Sequence, residues 1–161
     1  MSGTTTSPFL TGARAGFAVF LPFSVGLVPW ALVMGMAMRS AGFSPVEAMG
    51  MNLIVFAGTA QLGTLPLIVA GAPLWLIFFT ALALNLRFLI FSAALAPAFH
   101  GVGPGARWLS GHLLTDGVFA ACVDGLQKAD DARWRLGYYL APSLWSWLLW
   151  QTFTLLGIHA A

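Results

Sequence analysis

The stretch LWLIFFTALALNLRFLIFSAALAP, Leu74 to Pro97, carries a single charge, Arg87, among residues that are otherwise almost wholly apolar. A run of this length matches the roughly 20 apolar residues needed to cross a hydrocarbon core about 30 Å thick, so it reads as a membrane span. A charge at the middle of such a helix costs about 2.5–3.5 kcal/mol on insertion scales. Arg87 is therefore expected to face protein, a water-filled cavity or a ligand. Its most suitable intramembrane partner is Asp116, in the next hydrophobic segment. That pair makes the chain read as a transporter rather than a simple anchor.

The rest of the chain agrees with a membrane setting. Of its 161 residues 59% are hydrophobic and 7% charged, whereas soluble domains carry about a quarter charged residues. No charge occurs between Arg14 and Arg39, or between Glu47 and Arg87. The formal net charge of +2 comes from scattered residues near span ends, with no basic run suited to nucleic acid. Cys122, the lone cysteine, has no disulfide partner in the chain and reads as a packing residue.

The expected fold is all-α: a polytopic transmembrane helical bundle of about five membrane segments, forming one integral membrane domain over residues 1–161. Residues 1–12 are expected to be a polar, mobile N-terminus. The first span covers about Ala15 to Met38 and contains Pro22 and Pro29, each of which removes a backbone hydrogen bond. The second, about Ala48 to Ala70, is interrupted by Gly58, Thr59, Gln61, Gly63 and Pro66, so a broken second helix is expected. The third is Leu74 to Pro97, and the last runs from about Leu136 to Ile158. Tryptophans of the last span suit interfacial belts and lipid contact, and none is assigned a site role.

Trp108 to Leu126 is long enough to cross but holds His112, Asp116, Gly117 and Asp124. It reads as a span whose polar side faces the interior, since lipid exposure of those groups is too costly. With five crossings and the N-terminus inside, cytoplasmic flanks hold Arg14, Lys128, Arg133 and Arg135, and outer flanks hold Arg39 and Arg107. That asymmetry follows the positive-inside rule.

Three clusters could carry chemistry. In Phe56-Ala57-Gly58-Thr59-Ala60-Gln61, small residues and an amide sit at mid-span. They suit an unwound helix whose free N–H and C=O groups hold an amino acid or ion. They equally suit close helix packing. In Asn85-Leu86-Arg87, the guanidinium presents a planar fork to a carboxylate, whether that of Asp116 or of a solute. A structural tie between helices is the competing role. In Leu114-Thr115-Asp116, the carboxylate could carry a proton, and His112, four residues earlier, is expected on the same helical face. There is no zinc helix, phosphate loop or nucleophile elbow, so neither an enzyme nor a metal or cofactor site is expected.

Taken together these motifs resemble the AzlC-like family of branched-chain amino acid permeases. The resemblance rests on Leu21-Pro22 through Gly26 to Pro29, and on Ala41-Gly42-Phe43-Ser44-Pro45 with Glu47-Ala48. It continues through Val55 to Gln61, Asn85-Leu86-Arg87 and Leu114-Thr115-Asp116, in the family's order. The family commonly has His where Phe88 stands and Glu where Gly117 stands, and its members continue through further spans.

The resemblance implies a multi-pass bacterial inner-membrane exporter of branched-chain amino acids with a small AzlD-like membrane subunit. A second copy of the chain could take that subunit's place. Gly58, Thr59, Gln61, Asn85 and Arg87 are expected to bind substrate, with Arg87 and Asp116 as the charge pair coupled to protons. The alternative is a non-transporting structural subunit of a membrane complex.

Overall fold

The computed structural model describes residues 7–161. Seven α-helices and one 3-10 turn account for the ordered elements among them, with no strand. Helix α1 is Pro8–Ser40, α2 Pro45–Val55, α3 Gly58–Val69 and α4 Leu74–Leu95, the last continued by a 3-10 turn over Ala96–Phe99. Helix α5 is Pro104–His112, α6 Asp116–Lys128 and α7 Ala132–Ala160. The fold is thus all-α, and the second expected segment is broken between α2 and α3.

Two helical stretches, Pro8–Ser40 and Leu74–Phe99, are each long and apolar enough to cross a membrane. At 1.5 Å per residue, α2 and α3 are about 16 and 18 Å long, so each alone falls short of the hydrocarbon core. Many apolar side chains of α4 point outward. Leu74, Trp75, Phe78, Leu82, Leu86, Leu89 and Ile90 are exposed along it, a surface suited to a nonaqueous medium.

Several expectations need correction. Residues 1–6 of the proposed mobile N-terminus lie outside the described residues, but from Pro8 onward the chain is helical. The first span itself is as expected, since helix α1 runs through both Pro22 and Pro29. The segment Trp108 to Leu126 is not one helix: it is interrupted at Leu113–Thr115. Thr115 there adopts extended backbone and its hydroxyl accepts a hydrogen bond from Val118 N at 3.3 Å, an N-cap that starts a new helix. His112 therefore ends α5 while Asp116 begins α6, and the shared helical face predicted from their spacing does not exist.

The described residues group into two compact units. The first combines the chain up to Ser24 with Ile90–Trp147. Here α1 and α7 meet through glycine: a Cβ at Gly12, Gly16 or Gly137 would run into the backbone of Trp134, Tyr138 or Phe9 respectively. Small residues spaced by four along α1 allow this approach. Pro142 has no N–H to offer Tyr138 O one turn earlier. The Cys122 thiol points at that carbonyl from α6, with Sγ 3.8 Å away. Val118, Cys122 and Leu126 form the buried stripe of α6.

The second unit comprises Val25–Leu89 and Leu148–Ala161. Gly35 and Gly157 give α1 and α7 a second backbone-close contact in this unit, against Thr154 and Leu32 carbonyls. Helix α2 starts with a reciprocal cap. Ser44 N donates to Glu47 Oε2 at 2.8 Å, and Glu47 N donates to Ser44 Oγ at 3.3 Å. These hydrogen bonds hold the Glu47 carboxyl below its ordinary pKa.

Candidate functional site

The break in the second segment is two residues long. Helix α2 stops at Val55 because Phe56 turns left-handed, with φ 34° and ψ 42°. It is the sole non-glycine residue with positive φ among those described. A bulky side chain in that region is strained by roughly 1–3 kcal/mol. Ala57 follows at φ −141° and ψ 86°, and Gly58 opens α3 with no side-chain cap. Phe56 and Ala57 are both buried.

Such a break frees backbone polar groups at depth. Gln61 N donates to Ala57 O at 2.9 Å, so the amides of Gly58, Thr59 and Ala60 are the ones without an intrahelical acceptor. They point along the positive end of the α3 dipole. At the other side of the break, two side-chain amides cap α2 carbonyls. Gln61 Nε2 donates to Met51 O at 3.3 Å, and Gln151 Nε2 donates to Asn52 O at 3.5 Å.

A buried polar cluster surrounds these caps. Asn52 Nδ2 donates to Gln151 Oε1 at 2.6 Å, while Trp150 Nε1 donates to Asn52 Oδ1, also at 2.6 Å. Thr64 Oγ1 donates back to Ala60 O at 2.8 Å. Asn52, Gln61 and Thr154 are wholly buried, and Thr64, Trp150 and Gln151 nearly so. Gln61 Oε1 in this cluster has no hydrogen-bond partner, and neither has Thr154 Oγ1 one turn beyond Trp150 on α7. A buried polar atom left unsatisfied costs about 1–3 kcal/mol, so both mark places where a ligand's donor would be welcome.

Gly58 is required where it stands. A Cβ there would lie 2.6 Å from Trp150 Cη2 and 3.0 Å from Trp30 Nε1. Two indoles thus close on the first turn of α3. Trp150 departs from the interfacial and lipid-contact role expected of the last span's tryptophans, because it is buried and bonded into the cluster. Asn52, Trp150, Gln151 and Thr154 were missed in the sequence. The available signal was an amide inside each of two apolar segments, Asn52 and Gln151, which lipid would not tolerate.

Gly58, Thr59 and Gln61 lie in the first turn of α3. Asn85 and Arg87 lie on α4, which meets α3 where Leu84 packs against Gly63. Asn85 Oδ1 is a further buried atom without a hydrogen-bond partner. The Arg87 guanidinium stands over its neighbour's ring, 5.0 Å from the centroid of Phe88, a cation–π contact. Asp116 is the first residue of α6, where a carboxylate suits the helix dipole. Arg87 belongs to the second unit and Asp116 to the first. No group of His, Cys, Asp and Glu able to hold a metal ion occurs among the described residues.

A family model described as AzlC protein matches residues 22–161. The chain is 29% identical over 140 residues to "Inner membrane protein YgaZ" of Escherichia coli, covering 85% of this chain and 56% of that protein. It is 33% identical over 147 residues to an "Uncharacterized membrane protein" of Archaeoglobus fulgidus, covering 91% of this chain and 62% of that one. The chain therefore spans little more than half the length of these relatives. No solved structure matches.

Proposed function

The chain belongs to the AzlC family of membrane proteins, and from that membership and the α2–α3 break we propose that it binds and exports branched-chain amino acids. The observation that carries this reading is Gln61 Oε1, buried without a partner beside the uncapped start of α3. A zwitterion has complementary ends. Its carboxylate suits the amides of Gly58, Thr59 and Ala60 at the positive helix end. Its ammonium suits Gln61 Oε1 and the carbonyl end of α2. Thr59 adds a hydroxyl, and Leu62 offers apolar surface to the substrate side chain.

In the same proposal Asn85 and Arg87 extend the site along α4. Arg87 and Asp116 form a charge pair that opens with substrate or proton, and Asp116 carries the proton that couples export to a gradient. A small AzlD-like membrane subunit, or a second copy, completes the path in the inner (plasma) membrane.

The test is efflux of labelled leucine from proteoliposomes, with and without a candidate small partner. Gln61→Leu and Arg87→Gln should abolish efflux while leaving the yield of folded protein unchanged. Asp116→Asn should remove the response to an imposed pH gradient. If efflux per folded molecule persists in Gln61→Leu, the site is elsewhere. A second reading, a non-transporting structural subunit, is favoured by the amide ties of Asn52 to Trp150 and Gln151, which staple α2 to α7. Absence of efflux with every partner would decide for it.

A further inference from the structure

A separate cavity of about 710 Å³ lies wholly within the first unit. Two helical faces and one side chain build it. Ser92, Leu95, Ala96 and Phe99 line it from the end of α4 and the 3-10 turn, at positions i, i+3, i+4 and i+7, which is one helical face. Arg107, Ser110 and Gly111 line it from α5, again at i, i+3 and i+4. Tyr139 of α7 closes it, held in place from both sides: its hydroxyl donates to Ser110 O at 2.8 Å, and its ring meets Phe99 edge-on at 5.1 Å. The wall is therefore fixed by packing and a hydrogen bond.

The chemistry of the lining is asymmetric. Most of it is aliphatic or aromatic, but Arg107 brings a guanidinium with five donors to the rim. Among the described residues nothing pairs with Arg107 or accepts a hydrogen bond from it. Ser110, nine-tenths buried in the wall, has a hydroxyl without a hydrogen-bond partner. Beside Arg107, Trp108 is 82% exposed, as an indole is when it anchors a helix at a membrane–water interface. A cavity with an apolar body, an exposed cation without a protein partner on its lining and an interfacial anchor beside it has a matching ligand class.

We infer that this cavity binds an amphipathic anion, its apolar body against Leu95, Phe99 and Tyr139 and its anionic head on Arg107. A membrane offers two sources of that chemistry, the phosphate of an anionic phospholipid and the carboxylate of a free fatty acid. The site is independent of the α2–α3 break, since no residue lines both.

The test uses the purified chain in neutral detergent, titrated separately with phosphatidylglycerol, laurate and, as uncharged-overall control, phosphatidylcholine, with binding read by native mass spectrometry. Saturable binding of phosphatidylglycerol or laurate, weakened about tenfold or more by Arg107→Gln, supports the site. Whichever of the two is affected names the source. Ala96→Trp, which fills the cavity while leaving Arg107 intact, should abolish the same binding. Arg107 is exposed and unpaired, so its variant should elute and melt like the parent. Equal binding by both variants and the parent, or equal binding of phosphatidylcholine, would overturn the inference. Leucine efflux is not a readout here, so failure of this test leaves the transport proposal to its own.

Discussion

Trp150 of α7 donates its indole N–H to Asn52 Oδ1 of α2 at 2.6 Å, and the same indole closes over Gly58 at the start of α3. One side chain thus holds both sides of the helix break. The polar end of the ring satisfies a wholly buried amide, and its apolar edge sets how close α3 can come.

Trp150→Phe keeps the apolar ring and removes the donor. Asn52 Oδ1 would then be buried without its partner, a loss of about 1–3 kcal/mol. Thermal unfolding in detergent should show a lower midpoint. Asn52→Leu should lower it further, because it strands both the Trp150 N–H and Gln151 Oε1. Midpoints equal to that of the parent would refute the tie.

Gly58→Ala pits propensity against space. In a helix interior alanine is favoured over glycine by about 1 kcal/mol, but here its Cβ meets Trp150, whose N–H is already committed. The variant should be destabilised and should lose efflux. Gly26→Ala is the control, since a Cβ at Gly26 meets nothing within 4 Å. It should be neutral or stabilising by up to about 1 kcal/mol. Equal effects at the two glycines would argue against a crowded break.

The thiol of Cys122 is aimed at the carbonyl that Pro142 leaves without a helical donor. Pro142→Ala would supply that donor from the backbone. Cys122→Ala should therefore destabilise the parent by about 0.5–1.5 kcal/mol and the Pro142→Ala background by less. A double-mutant cycle on unfolding midpoints measures the difference, and a coupling of zero would make the cysteine a packing residue alone.

Glu47 links the start of α2 to pH. Its carboxyl is held below its ordinary pKa by Ser44. Stability from the cap is therefore fully present above the ordinary glutamate value of about 4.3 and is lost as pH falls through the lowered folded value. The acid limb of a stability–pH profile should flatten in Glu47→Gln. An unchanged limb would show that the cap does not form.

The membrane class and the third segment were legible because they depend on composition and run length. Leu74 to Pro97 was expected as one helix and is one, followed by a 3-10 turn. Gly58 correctly signalled a break, although the left-handed residue is Phe56, whose side chain gave no warning of it. The break between His112 and Asp116 was missed. Their spacing of four implies a shared face only if the helix is continuous, and the extended Thr115 cap interrupts it.

Membership in a lipid-soluble, all-helical class with an interrupted second segment was determined by the linear order of residues alone. Hydrophobic run length and the backbone freedom of glycine act locally, so they can be read without a fold. Which polar groups would be satisfied was decided only by the tertiary structure. Asn52 and Gln151 are 99 positions apart and bond at 2.6 Å. Hydrogen bonding depends on distance and angle between helices, and no property of either residue's neighbours in the chain specifies those.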